Sequence, residues 1–100
     1  MATTTKALGR GAFATSSGTL YTVPSATTTV VTNIVITNTA GTAGTFTLAL
    51  NGTSLATTVA CAANSITTLD LKQVLAATQT ITGLASATTI NYHISGVEIS

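Results

Sequence analysis

From residue 18 onward, apolar and polar residues alternate in short runs that are interrupted by turn residues, which is the pattern of β-strands. The run Thr45–Leu50 shows it most plainly, with large apolar side chains on one face and threonine or alanine on the other. Asn51-Gly52 follows directly, and this pair favours the positive φ angles of a type I′ hairpin turn. We therefore predict a hairpin whose return strand runs from Thr53 to Ala60.

Other strands are predicted where similar runs end at turn residues: Thr19–Val23, Thr28–Asn38, Ile66–Leu71, Gln79–Leu84 and Thr89–Ile99. The segment Lys72–Ala77 is too short to assign to a helical turn or to an irregular corner. Seven or eight short strands cannot form one stable flat sheet, so they must pack as two layers or close into a barrel. The prediction is an all-β protein, an antiparallel β-sandwich of immunoglobulin-like or jelly-roll type, over residues 18–100. Its core is predicted to contain the inward-facing side chains of these strands: Ile34, Ile36, Phe46, Leu48, Leu50, Leu69, Leu71, Ile81, Ile90, Tyr92 and Ile94.

The predicted strand Thr28–Asn38 is apolar on both sides when it is treated as regular. Val30, Ile34 and Ile36 lie on one face, whereas Val31 and Val35 lie on the other. A strand that is apolar on both sides is normally buried on both sides. The core of one sandwich covers only one of these faces, so Val31 and Val35 are predicted to contact another subunit.

The last predicted strand contains a break in its alternation. Ile90, Tyr92 and Ile94 share one face of a regular strand, but Val97 and Ile99 fall on the other face. Gly96 lies between the two groups. A β-bulge at Gly96 would return Val97 and Ile99 to the core. The alternative is that these last residues are buried against a different surface.

Residues 1–17 contain mainly threonine, alanine, glycine and serine, and they show no strand alternation. This composition is typical of an extended arm that lies outside the core. Lys6 and Arg10 are predicted to face acidic groups of a neighbouring subunit or shell, and Leu8 and Phe13 to anchor the arm there. The segment lacks an apolar run of signal-peptide length, so we expect synthesis in the cytoplasm without a signal peptide.

The composition favours a chain held in an assembly. Only 5% of the residues are charged, against about a quarter in a typical soluble domain, and one residue in four is threonine. A protein with so little charge has weak colloidal repulsion and self-associates readily. A net charge of +1 offers no field to attract nucleic acid or an anionic membrane. No stretch reaches the roughly 20 apolar residues of a membrane span.

No candidate catalytic group has the partners that its chemistry requires. His93 is the only histidine, and it shares no motif with Asp70 or Glu98, the only acids. Cys61 is the only cysteine, with no helix start or cation near it in the sequence to activate the thiol. A zinc site needs three or four ligands in spaced pairs. We therefore predict no enzymatic activity, no metal site and no cofactor.

Five segments carry a resemblance to a known class of proteins: Leu20-Tyr21-Thr22-Val23-Pro24, the run from Val30 to Asn38, Leu50-Asn51-Gly52, the run from Leu69 to Leu75, and the run from Ile94 to Ile99. Together they resemble small β-sandwich virion proteins of tailed bacteriophages, of the head-decoration or minor structural kind. The resemblance covers about four-fifths of the chain, and it transfers no functional residue.

The resemblance implies a component of the phage particle that decorates or cements the capsid surface. Its partners would be the major capsid protein or other virion proteins, and it would self-associate, as a trimer if it occupies capsid three-fold positions. The alternative function is a host-recognition or carbohydrate-binding module of a tail or fibre. That alternative requires an exposed aromatic platform with polar neighbours, for which Tyr92 and His93 are the candidates.

Overall fold

The computed structural model describes residues 2–100, and these residues form eight strands and no helix. In chain order the strands are β1 (Thr3–Ala12), β2 (Gly18–Thr22), β3 (Thr28–Asn38), β4 (Gly44–Leu50), β5 (Thr53–Cys61), β6 (Ser65–Leu75), β7 (Thr80–Ala85) and β8 (Ile90–Ile99). The all-β prediction is confirmed. The undecided segment from Lys72 onward continues β6 as far as Leu75.

The strands form two antiparallel four-stranded sheets. The front sheet has the order β1-β8-β3-β6, and the back sheet has the order β2-β7-β4-β5. Strand β1 pairs with β8, β2 with β7, β3 with β6 and β4 with β5. This nested pairing of the first strand with the last is the jelly-roll arrangement, so it decides between the two predicted sandwich types.

Strand β1 corrects the prediction of an external arm. It forms an antiparallel ladder with β8 along its whole length, and it is the edge strand of the front sheet. Leu8 and Phe13 are 9% and 1% exposed and belong to the core of their own chain. The sandwich therefore begins at Thr3, and the predicted division into residues 1–17 and 18–100 is wrong. Main-chain hydrogen bonds and two buried side chains hold this segment without a partner.

The core lies between the two sheets. Its fully buried side chains include most of those predicted from the alternation: Ile34, Ile36, Phe46, Leu48, Ile81, Ile90 and Ile94. Four other predicted core residues are partly buried against this cluster: Leu50, Leu69, Leu71 and Tyr92. The edge of the Phe13 ring meets Tyr92 with 5.2 Å between the ring centroids. The N-terminal segment thus completes the core at one side of the sandwich.

The predicted bulge at Gly96 is located on the neighbouring strands instead. Strand β8 keeps a regular alternation, while β1 and β3 each shift register beside Gly96. The additional residues are Leu8 on β1 and Thr32 on β3. Val97 and Ile99 consequently stay on the outside of the front sheet and are partly buried there. Their outward orientation agrees with the alternative prediction, in which these last residues face a surface other than the core.

The same shift in β3 explains why Val31 is in the core. The bulge reverses the alternation between Val31 and Ile34, so both side chains point inward and both are fully buried. Val31 was predicted to contact a partner, and the structure shows that prediction to be wrong. Val35 does point outward, as predicted, and is partly buried.

Two asparagines stabilise the connections that follow β3 and β4. Asn51 has a φ of 50° and Gly52 a φ of 78°, which confirms the type I′ hairpin between β4 and β5. Asn38 is 3% exposed at the end of β3. Its Nδ2 donates to the Thr42 carbonyl at 2.9 Å, and its Oδ1 accepts from the Ala40 amide at 3.0 Å. These bonds fix the loop that leads into the back sheet.

Candidate interaction surface

The outer face of the front sheet is built from side chains in cross-strand rows, because residues that pair in antiparallel strands point to the same side. One row runs across all four strands, from Thr5 through Val97 and Val30 to Val74. Ile99 extends it toward the end of the sandwich. Val30, Val97 and Ile99 are partly buried by their neighbours, and Val74 is 65% exposed. The result is a continuous apolar strip on the outside of the sheet.

A second row lies further along the same face and contains charge. The Arg10 Nε donates to the His93 Nδ1 at 3.0 Å, which links β1 to β8. Val35 pairs with His93 on one side and with Thr68 on the other. This row therefore combines a cation, an imidazole and an apolar side chain at the surface, and it can engage a partner through both hydrogen bonds and apolar contact.

Between the two rows lies Asn33, whose Oδ1 is buried and accepts no hydrogen bond within residues 2–100. Its ladder neighbours are Ser95 on β8 and Asp70 on β6. A buried amide oxygen without a donor costs about 1–3 kcal/mol relative to a satisfied one. Asn33 is thus a point on the outer face of the front sheet where a donor from outside the chain would be stabilising.

The outer face of the back sheet has a different chemistry. Thr22 pairs with Thr80, and Ala49 pairs with Thr82. Thr45 is a further threonine on this side. Leu84, opposite Thr47, is a partly buried apolar side chain on this face. The threonine methyl and hydroxyl groups around it interrupt the apolar surface, so this face is suited to solvent. The two faces of the sandwich are therefore unequal, and the front sheet is the candidate interaction surface.

A polar network closes one end of the sandwich between the two sheets. The Tyr21 hydroxyl of β2 donates to the Glu98 Oε2 of β8 at 2.5 Å and accepts from the Thr29 hydroxyl of β3 at 2.8 Å. The Lys6 Nζ of β1 lies 3.3 Å from the Glu98 Oε1. Four strands are tied together through these groups.

The network shifts the pKa of both its acidic members. Burial raises the pKa of Tyr21 to about 12, and the hydrogen bond to Glu98 adds to the rise. That same hydrogen bond holds the pKa of the Glu98 carboxyl below its ordinary value of 4.5, with help from the Lys6 ammonium. At neutral pH the tyrosine is thus protonated and the glutamate ionised, which is the state that the hydrogen bonds require. The network holds the sheets together and presents no activated nucleophile.

The remaining candidate groups for chemistry lie apart. Cys61 is fully buried, with its Sγ 3.9 Å from the Ser65 Oγ. His93 and Tyr92 are neighbours on β8 and point to opposite faces, so they do not form the aromatic platform predicted for carbohydrate binding. Among residues 2–100, no three His, Cys, Asp or Glu side chains are grouped so that they could hold a metal ion. The described part of the chain also contains no helix long and apolar enough to cross a membrane.

Three of the six predicted interface residues remain available at the surface: Lys6, Arg10 and Val35. Lys6 is engaged by Glu98, while Arg10 and Val35 lie in the second row of the outer face. Leu8, Phe13 and Val31 are core residues, as described above. The sequence does not predict the apolar strip. Treating β3 as a regular strand places Val30 on the core face, and a bulge at Gly96 places Val97 on the core face as well.

A cleft of about 240 Å³ opens where the β4–β5 hairpin approaches the end of β6. Its walls carry neutral amides and hydroxyls together with aliphatic side chains: Leu50, Asn51, Thr53, Ser54, Leu55, Gln73, Val74, Leu75 and Gln79. The amide of Gln79 already accepts a hydrogen bond from the Ala76 main chain at 2.8 Å. The cleft contains no charged group and no aromatic ring.

No protein-family model and no curated protein sequence matches this chain. Among solved structures, one similar chain is described as the Agl-KA catalytic domain, with a TM-score of 0.40 and 16% sequence identity over 91% of this chain. Another is a pentameric capsid protein isolated from metagenomic phage sequences, with a TM-score of 0.38 and 14% identity over 90% of this chain. This chain spans only 21% and 60% of the lengths of those two proteins.

Proposed function

We propose that this chain is a structural subunit of a tailed-phage particle, which decorates or cements the capsid surface through the outer face of its front sheet. The observation that carries the proposal is the apolar strip formed by Val97, Val30 and Val74 with Ile99. Apolar surface of this kind, bordered by polar residues, marks protein interaction sites.

Three further features support the same role. The low charge means that few ions must be desolvated when the face is covered, which lowers the cost of association. The sequence resembles head-decoration and minor structural proteins over most of its length. The jelly roll is also an architecture that viral capsid domains use, although the same architecture serves many other functions.

The proposed partners are the major capsid protein or other virion proteins, and the proposed location is the virion. On the particle we expect a homo-oligomer, a trimer where the subunits surround a capsid three-fold position. Arg10 and Val35 are proposed to contribute polar and apolar contacts beside the strip. A host-recognition or carbohydrate-binding role takes second place, because Tyr92 and His93 do not form the platform that it needs. We also propose that the chain has no catalytic activity of its own.

The experiment is reconstitution on particles that lack this protein. Val97→Asp places a carboxylate in the centre of the strip, and it is expected to prevent co-sedimentation with the particles while the circular-dichroism spectrum stays that of a β-protein. Thr82→Asp makes the corresponding change on the outer face of the back sheet and is expected to leave binding intact. Binding by folded Val97→Asp at wild-type level would contradict the proposal.

A further inference from the structure

Strand β6 is the exposed edge of the front sheet, and it has 11 residues. Its side chains alternate through most of the strand, with the odd-numbered ones turned toward the core and the even-numbered ones exposed. Two of the three exposed large apolar side chains of the described chain are on this strand, Ile66 at 71% and Val74 at 65%. An edge of this length presents unpaired main-chain N–H and C=O groups that can pair with another strand.

Strand β6 has one irregularity, a register shift against β3 in which Leu71 and Lys72 lie opposite the single residue Thr32. Each of the other three edge strands carries two features that oppose such pairing. Strand β1 has a bulge at Leu8 and two like charges, Lys6 and Arg10, on either side of it. Strand β2 has only five residues and is followed closely by Pro24. Strand β5 shifts register twice against β4 and contains Thr58 with a φ of 48°. Short length, proline, bulges and like charges are the means by which sheets avoid edge-to-edge association.

The charges on β6 have the opposite effect. Asp70 and Lys72 are two residues apart on the exposed face, with Leu71 between them, and within residues 2–100 neither forms an ion pair. In an antiparallel pairing of β6 with the β6 of a second copy, centred on Leu71, each Asp70 lies directly opposite the Lys72 of the other copy. Opposite charges at facing positions stabilise a strand pair, and like charges destabilise it.

We propose that two copies of this chain associate along β6 around a two-fold axis through Leu71. The contact is isologous, so each copy supplies the same strand and both charge pairs form at once. The same register places Val74 opposite Thr68 of the other copy, while Ile66 lies beside Ala76, the residue after the end of β6. The pairing therefore reduces the exposure of Val74 while the main-chain groups of the edge find partners.

The dimer joins two front sheets into one eight-stranded sheet, with both apolar strips on the same side. In the free protein this contact gives a two-fold dimer, and on a particle it would connect subunits that belong to different three-fold positions. The inference can be tested apart from the particle role at Val97, which lies two strands away from the β6 edge, whereas Val74 belongs to both surfaces. The Val97→Asp variant should therefore lose particle binding and keep the dimer.

The test is sedimentation velocity on the full chain over a concentration series, with single and double charge reversals. Asp70→Lys brings two lysines opposite each other at both charge pairs, and Lys72→Asp brings two aspartates together. Each is expected to weaken dimerisation by about tenfold or more, since like-charge juxtaposition is costly at an interface. The double variant D70K/K72D restores opposite charges in the same register and is expected to dimerise like the wild type.

Thr19→Lys is the control, because it adds a cation to the exposed edge of the back sheet on the far side of the sandwich; it should dimerise normally. Thermal melts followed by circular dichroism check that every variant is folded. A wild-type chain that sediments as a monomer across the series would overturn the proposal. So would a folded double variant that dimerises no better than the two single reversals.

Discussion

Replacing Phe13 by alanine tests whether the N-terminal segment is part of the folding unit. The Phe13 ring is 1% exposed, packs edge-on against Tyr92 and fills the space beside Gly83, where its Cε1 would be 2.9 Å from an added Cβ. Truncating a buried phenylalanine to alanine costs about 3–5 kcal/mol, and a T-shaped aromatic pair contributes about 0.5–1.5 kcal/mol beyond its burial. An external arm would contribute nothing to the stability of the isolated domain.

A domain of this size has a total stability of about 5–15 kcal/mol, so the change should remove a large part of it. Each kcal/mol corresponds to about 4–8 °C in Tm for domains of 60–100 residues, which predicts a fall of more than about 10 °C. Thermal and urea melts followed by circular dichroism measure the effect. Thr5→Ala, at an exposed position of β1, should change the free energy of unfolding by less than about 0.5 kcal/mol. A Phe13→Ala loss below about 1 kcal/mol would refute the packing described here.

Three further predictions concern other parts of the molecule. Gly96→Ala should destabilise the fold by at least about 1–3 kcal/mol in urea melts, because the new methyl group would lie 2.8 Å from the Leu8 Cδ1 and overlap the Val30 carbonyl. Stability should fall as the pH drops from 4.5 through the lowered pKa of Glu98, since the folded state favours the ionised carboxyl; a Glu98→Gln variant should have lower stability at pH 7 and a flatter acid profile. Finally, His93→Ala and Cys61→Ser should leave the proposed particle binding within a few-fold of wild type, and an enzymatic turnover lost on either change would contradict the proposed absence of catalysis.

The strands that could be predicted are those whose alternation is regular. The run from Gly44 to Leu50 alternates without interruption, and Asn51-Gly52 fixes the turn after it, so the hairpin was located almost to the residue. Strand β1 could not be recognised in the same way. Its one buried side chain, Leu8, sits in a bulge and is flanked by glycine, alanine and cations, so no period-two pattern is present.

The outer face of the front sheet was missed for a related reason. A bulge moves the side chains that follow it to the other face of the sheet. In the sequence it is visible only as an interruption of the apolar–polar alternation. The break was visible around Gly96, but the sequence of one strand cannot show that its neighbours contain the additional residues. Val30, Val31 and Val97 were consequently assigned to the wrong sides. Pairing information from three adjacent strands is needed to correct the assignment.

The pairing of β1 with β8 has a consequence for how the protein is made. The main-chain bonds between Ala2 and Ser100, at 2.6 and 2.8 Å, continue this ladder beyond the two strands. During synthesis the first strand leaves the ribosome long before its partner, so β1 must wait unpaired until β8 has been translated. Strand pairs that are distant in sequence form slowly and expose unpaired edges meanwhile. Folding of this domain should therefore wait until β8 has left the ribosome, and a ribosome-bound nascent chain that stops before β8 should remain sensitive to protease.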